Sequence, residues 1–191
     1  MLVNILPIIH MNTDKESKKT EQPLDWVVKH AAGIDESGHV LDLACGNGRH
    51  TRYLLSLGFR VTALDRKTGG LSRMVGNNGL RILECDLEDG SAWPLVGESF
   101  EGIVVTNYLY RPIFGSLINA LSDGGVLIYQ TFAIGNAEYG RPRNPDFLLR
   151  KNELIETFGP HLDILDFEQG YTDQPSPAII QRICCRKPMG G

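Results

Sequence analysis

One local pattern constrains this chain more than any other. An apolar run, His39 to Leu43, stops at Ala44-Cys45-Gly46-Asn47-Gly48 and leads straight into a helical pattern from Arg49 to Leu57 that ends at Gly58. A strand that turns through glycines into a helix is the opening of a β-α-β unit, and such units force parallel strands joined by right-handed crossovers. The same alternation continues. Phe59–Leu64, Arg81–Cys85, Gly102–Thr106 and Gly125–Phe132 read as strands, and Thr68–Asn78, Pro112–Leu121 and Asn152–Phe158 as helices. Ile164–Gln169 and Ala178–Cys185 have no helix-length segment between them, so they are expected to be antiparallel neighbours. The fold class is therefore α/β. We expect a doubly wound, mostly parallel seven-stranded sheet with an antiparallel last strand and helices on both faces. A first helix is expected from Pro23 through Ala31, closed by Gly33. Residues 1–22 read as a partly flexible N-terminal segment and residues 23–191 as a single domain.

In open sheets of this kind ligands bind at the carboxyl ends of the strands, where strand order reverses. The tips carry a consistent set of groups. Gly46 and Gly48 allow a tight turn and a close approach of backbone to ligand, beside a helix N-terminus with free N–H groups. Asp65 follows Gly46 by 19 residues at the end of the second strand, where a carboxylate can accept both hydroxyl hydrogens of a ribose. Asp86 ends the third strand and could accept from an adenine amino group, with Leu87 against the base. The spacing points to an adenosine-bearing ligand. The dinucleotide fingerprint G-x-G-x-x-G is broken, because Thr51 stands at its third glycine. Asp42 would repel a pyrophosphate but suits a ligand with an ammonium and a sulfonium group.

The run Asp42-Leu43-Ala44-Cys45-Gly46-Asn47-Gly48 resembles the first motif of class I S-adenosylmethionine-dependent methyltransferases. With Arg49 it is most similar to the small bacterial methyltransferases of the tellurite-resistance type. The resemblance covers roughly Val40 to Phe132. It implies a methyl transferase that binds S-adenosylmethionine and releases S-adenosylhomocysteine, with no metal. Gly46 and Gly48 would line the methionine part, with Asp42 near its amino group and Arg49 near its carboxylate, and Ala44 and Cys45 would belong to the same cofactor-binding loop. Asp65, with Arg66 beside it, would hold the ribose, Asp86 and Leu87 the adenine, and Asn107 the methionine chain or the acceptor. Ala44 departs from the family, where glycine is common; alanine fits if its φ is negative. An NAD(P)-dependent oxidoreductase would call for glycine at 51 and no acid at 42. A non-catalytic protein on the same fold would have no need of Gly46, Gly48, Asp65 and Asp86 together.

The acceptor side is carried by Asn107, Tyr108, Tyr110 and Arg111 after the fourth strand. Asn107-Tyr108 lacks the Pro-Pro of the amine-directed N-P-P-Y motif. The segment Ala133 to Pro145 is expected to be a loop covering the acceptor, with Arg141 and Arg143 selecting an anion. The acceptor is thus expected to be a small molecule or an oxyanion. His50 and His161 are bases by residue type only.

Charge and cysteine usage narrow the partners. Lys and Arg number 19 against 23 Asp and Glu, a formal net charge of −4, which argues against an extended nucleic-acid surface. Cys45, Cys85, Cys184 and Cys185 form no C-x-x-C pair and read as reduced thiols. No run approaches the roughly 18 apolar residues of a membrane span, and Met1–Met11 lacks a basic leader, so a cytoplasmic enzyme is expected.

Overall fold

The computed structural model describes residues 22–190; all but the last residue of the expected N-terminal segment lies outside them. Seven strands form one sheet: β1 (His39–Leu43), β2 (Arg60–Asp65), β3 (Leu80–Glu84), β4 (Phe100–Thr106), β5 (Leu121–Phe132), β6 (Asp163–Thr172) and β7 (Ala178–Arg186), in the order β3-β2-β1-β4-β5-β7-β6. Strands β3, β2, β1, β4 and β5 are parallel neighbours, and β7 runs antiparallel between β5 and β6. Strand order reverses between β1 and β4, as expected for a doubly wound sheet.

Side-chain parity explains the two-faced burial. Leu41, Leu43, Ile103, Val105, Leu127, Tyr129 and Cys185 point to one face, where α3 (Phe114–Ala120) and α4 (Glu153–Phe158) supply Phe114, Leu117, Leu154 and Phe158. Val40, Val61, Val104, Val126, Ile128 and Cys184 point to the other, where α1 (Asp25–Ala31) and α2 (Arg49–Ser56) supply Trp26, Val27, Ala31 and Leu54. Near-continuous apolar runs are what a strand covered on both faces requires. Burial pushes the Cys184 and Cys185 thiols up to about 12, so both stay protonated packing groups. Among the described residues no helix is long and apolar enough to cross a membrane.

Several local expectations need correction. Thr68–Asn78 is not an α-helix: only Gly69–Met74 winds, as a 3-10 helix. Gly69, Gly70 and Gly76 weaken a longer helix, since each costs roughly 1 kcal/mol against alanine. Pro112–Leu121 divides into a 3-10 turn, Arg111–Ile113, and the short α3. The segment Ala133–Pro145, expected without regular elements, contains a 3-10 turn, Asn136–Glu138, and is anchored at both sides. Ala133 bridges Leu149, and the buried Asn136 side chain donates to Pro142 O at 3.2 Å and accepts from Ile179 N at 3.2 Å. A further correction concerns Ala44, whose φ is +54° and not negative. That left-handed conformation costs a non-glycine residue roughly 1–2 kcal/mol. Ala44→Gly is therefore expected to stabilise the fold by about 1 kcal/mol, raising Tm by roughly 2–4 °C in a thermal melt.

Candidate cofactor site

The loop from β1 to α2 sits at the point where strand order reverses, and three side chains fix its shape. Asp42 is buried inside β1, and the Thr51 hydroxyl donates to its Oδ2 at 2.5 Å. Asp65 Oδ2, at the tip of β2, accepts from Gly46 N at 2.9 Å, while its Oδ1 accepts from Lys67 N at 2.9 Å. His50 accepts from Leu24 N at its Nε2, 3.2 Å, and its Nδ1 meets Thr106 Oγ1 at 3.2 Å. An acceptor Nε2 places the proton on Nδ1, so the ring is neutral. Burial, aided by Arg49, pushes its pKa down to about 3. With both nitrogens engaged, His50 joins α1, α2 and β4 and is not a free base. His161 follows α4, at the sheet edge opposite the loop, where β6 begins.

Two cavities flank this loop and meet at Ala44 and Asn107. The larger, about 750 Å³, is lined by Cys45, Gly46, Asn47, Arg49, Arg52 and Arg73 among others. The smaller, about 370 Å³, is lined by Asp65, Arg66, Asp86, Leu87, Tyr108 and Phe147 among others. Asn107 has φ +55°, a conformation asparagine tolerates, directly after β4. Asp86 accepts from Glu88 N at 3.0 Å and remains exposed. Tyr110 lines a third cavity, about 260 Å³, with Trp93 and Pro94.

The two glycines of the loop do different things. A Cβ on Gly46 would meet nothing within 4 Å, so this is where a ligand can approach the backbone. Gly48 is buried at φ +74°, and a Cβ there would collide with Leu71 and Met74. Its missing side chain admits the 3-10 turn Gly69–Met74 onto the loop. Thr51, at the third glycine position of a dinucleotide loop, is there to hold Asp42. Burial raises the Cys45 thiol far above its usual range, which keeps this cavity-lining sulfur protonated.

Three of the expected acceptor residues lie elsewhere. Arg111 Nε donates to Glu153 Oε1 at 2.6 Å, its Nη1 to Asp146 O at 2.7 Å and its Nη2 to Leu148 O at 3.0 Å. Every arm is committed to holding the buried Glu153 and the loop before α4, so Arg111 has no fork to offer an anion. Arg141 and Arg143 are exposed and line neither cavity beside the loop. Positive charge at the two cavities comes instead from Arg49, Arg52 and Arg73 around the larger and Arg66 around the smaller. The expectation of arginine selectors rested on loop position alone, and the anchoring of Asn136 on β7 was not readable there. Arg73 and Phe147 were missed because each sits in a turn whose path only the tertiary structure defines. Among the described residues no group of three or more His, Cys, Asp or Glu side chains could hold a metal ion.

Residues 40–125 match the family model described as a methyltransferase domain. The fold is that of a class I methyltransferase. TehB from Haemophilus influenzae superposes with a TM-score of 0.65 at 22% identity, over 85% of this chain and 61% of that one. The 1,6-didemethyltoxoflavin-N1-methyltransferase of Burkholderia thailandensis, solved with 1,6-didemethyltoxoflavin and S-adenosylhomocysteine, gives 0.66 at 21% identity, over 92% and 81%. A protein-L-isoaspartate O-methyltransferase of Chlorobaculum tepidum is 32% identical over 106 residues, 53% of this chain. The chain spans about half, 48%, of the length of that curated relative. The methyltransferase match runs from Val40 in β1 to Gly125 in β5 and so contains the whole glycine loop and both acid-bearing tips.

Three predictions test these assignments. Burial raises Asp42 to about 7 from 3.8, against the opposing Thr51 hydrogen bond. Between those values the folded protein holds a proton that the unfolded chain has lost, so stability falls as pH rises from about 4 to about 7. Asp42→Asn removes this slope: in urea denaturation the variant gains on the parent between pH 5 and pH 8. Arg111→Ala leaves Glu153 buried with only Arg150 beside it, and is expected to cost about 3 kcal/mol, as for a broken buried pair. The Arg141→Ala, Arg143→Ala double variant should stay within about 0.5 kcal/mol of the parent.

Proposed function

We propose that this chain transfers the methyl group of S-adenosylmethionine to a small-molecule or ion acceptor by in-line displacement. One observation carries the proposal: the glycine loop lies between two joined cavities at the strand-order reversal, with Asp65 and Asp86 on one side and Arg49 on the other. The residues fit such a ligand. Gly46 leaves open space where a side chain would stand, and the cavity volumes lie in the range of small-molecule sites. The named functions of the Chlorobaculum and Burkholderia proteins, both methyltransferases, support the same reading.

In this proposal the smaller cavity takes the adenosine. Each oxygen of a carboxylate has a second lone pair, so Asp65 can accept from the ribose hydroxyls while keeping Gly46 and Lys67. Asp86 accepts from the adenine amino group, Leu87 and Phe147 pack on the base, and Arg66 stays at the cavity rim. Ala44 and Gly46 form the floor on the way to the larger cavity. There Arg49 meets the methionine carboxylate, with Asp42 beneath the loop and close to the ammonium. Asn107 stands where the cavities join, next to the acceptor, and Tyr108 walls the adenosine side.

S-adenosylmethionine supplies an electrophilic methyl group and a neutral thioether leaving group, so little covalent chemistry falls to the protein. The chain's part is to position, to exclude water and to keep competing nucleophiles quiet. The protonated Cys45 serves the last of these, because a thiolate beside a sulfonium would itself be methylated.

Binding of S-adenosylhomocysteine, followed by titration calorimetry beside NADH, tests the reading. The parent should bind the former and not the latter. Asp65→Ala should weaken S-adenosylhomocysteine at least about tenfold, since hydrogen bonds to a charged group contribute about 1.5–3 kcal/mol. Unchanged affinity in that variant would remove Asp65 from the site.

A further inference from the structure

The turn before α4 presents an aromatic ring that belongs to none of the apolar cores. Pro145–Phe147 winds as a 3-10 turn, and Phe147 is 47% exposed while the next two residues, Leu148 and Leu149, are buried. Phe147 lines the smaller cavity with Asp65, Asp86, Leu87 and Tyr108. A single exposed apolar residue is ordinary on a protein surface. One on the wall of a cavity, carried by a turn that is tied down on every side, calls for an explanation.

The ties come first from the chain nearby. Asn144 Oδ1 accepts from Asp146 N at 3.0 Å, and the Asn144 and Pro145 carbonyls accept from Phe147 N and Leu148 N at 3.0 Å. Beyond the turn, Leu149 N donates to Phe132 O and Leu149 O accepts from Ile134 N, both at 3.0 Å. Arg111 supplies the rest. Its Nη1 donates to Asp146 O and its Nη2 to Leu148 O, the two carbonyls that flank Phe147 in sequence. Its Nε and Nη2 also reach the two carboxylate oxygens of the buried Glu153, at 2.6 and 3.0 Å. A planar guanidinium bound along both edges is fixed in place and in orientation.

The same arginine belongs to the opposite wall. It ends the segment Asn107-Tyr108-Leu109-Tyr110 that follows β4, and Asn107 and Tyr108 line the cavity that Phe147 lines. That segment is itself pinned, because the hydroxyl of the buried Tyr129 donates to Tyr108 O at 2.9 Å. One side chain therefore joins the loop after β4 to the turn after β5. The gap between the Tyr108 wall and the Phe147 wall is set by the reach of Arg111.

We propose that Arg111 is a positioning residue for the ligand of the smaller cavity: held by Glu153, it fixes the turn that closes Phe147 over the adenosine. The proposal rests on the methyl-transfer reading above, which puts the adenosine there. Arg111 touches no ligand. Its influence passes through the Phe147 ring, which stacks on the base and keeps water from it.

The test is a double-mutant cycle on S-adenosylhomocysteine affinity, measured by calorimetry well below the melting transition of each variant. Arg111→Ala strands Glu153 in the interior, so the cycle uses Arg111→Lys. Lysine keeps a cation beside Glu153 but lacks the fork that reaches both carbonyls. Phe147→Ala should weaken S-adenosylhomocysteine about tenfold, as loss of a stacking ring does, and Phe147→Tyr should restore it. The same loss is expected for 5′-methylthioadenosine, which has no amino-acid end. Arg111→Lys should weaken binding about fivefold in the parent and less than about twofold in the Phe147→Ala background. A purely structural arginine would cost the same in both backgrounds, and that result would overturn the proposal. So would a Phe147→Ala variant that binds S-adenosylhomocysteine as the parent does, or one that loses S-adenosylhomocysteine but not 5′-methylthioadenosine. Failure of S-adenosylhomocysteine to bind the parent is a separate result: it removes the methyl-transfer reading and this inference with it.

Discussion

The ligand edge of this protein depends on how one loop is held. The Thr51 hydroxyl donates to the buried Asp42 and ties the first turn of α2 back to β1, while Asp65 takes the Gly46 N–H and ties the loop sideways to β2. Both contacts end on a carboxylate, yet the two differ in character. Asp42 is wholly buried and drifts toward the neutral form; Asp65 stays half-buried at the cavity wall. The loop between them holds Ala44 and Gly46 in left-handed conformations, which a chain free to relax would leave. Strain of that kind persists only where the surroundings over-determine the backbone. These contacts, with the 3-10 turn packed on Gly48, are what over-determine it.

Much of this was readable from the residues. The strands declared themselves because apolar residues fill both faces, as Val40-Leu41 and Ile103-Val104-Val105 show. The reversal of β6 and β7 followed from the absence of a helix between them. The glycine pair marked the loop correctly but not what each glycine does there. That distinction depends on Leu71 and Met74, which sit more than twenty residues away in a turn that the sequence presents as a weak helix. Arg111 failed as an acceptor residue for a related reason. Its partner Glu153 is 42 residues distant, and nothing in the local pattern announces that a guanidinium will be consumed by a buried acid. Periodicity records what a residue does to its own element; it is silent on long-range pairs.

Charge is divided along the groove in a way that net composition hides. An acidic chain places Arg49, Arg52 and Arg73 around the larger cavity and Asp65, Asp86 and Glu88, with the single Arg66, around the smaller. A ligand with a carboxylate at one end and hydrogen-bond donors at the other meets complementary groups along its length, and the reversed orientation meets like charges. Such an arrangement fixes the direction of a bound molecule more than it adds to its affinity.

The position of β7 sets an order of events during synthesis. The strand runs from Ala178 to Arg186 and is hydrogen-bonded on both sides, to β5 and to β6. It also delivers Ile183, Cys184 and Cys185 to the two cores. Until those residues have left the ribosome, β5 and β6 each present an unpaired edge, and the apolar side chains of α1 and α4 lack part of their cover. A nascent chain that has already made the whole ligand-binding half must therefore wait, with two sticky edges exposed, for its final strand. A polypeptide cut short between β6 and Ala178 would keep every residue of the glycine loop and still carry an open sheet, making it a substrate for chaperones and proteases more than a smaller working version of the protein.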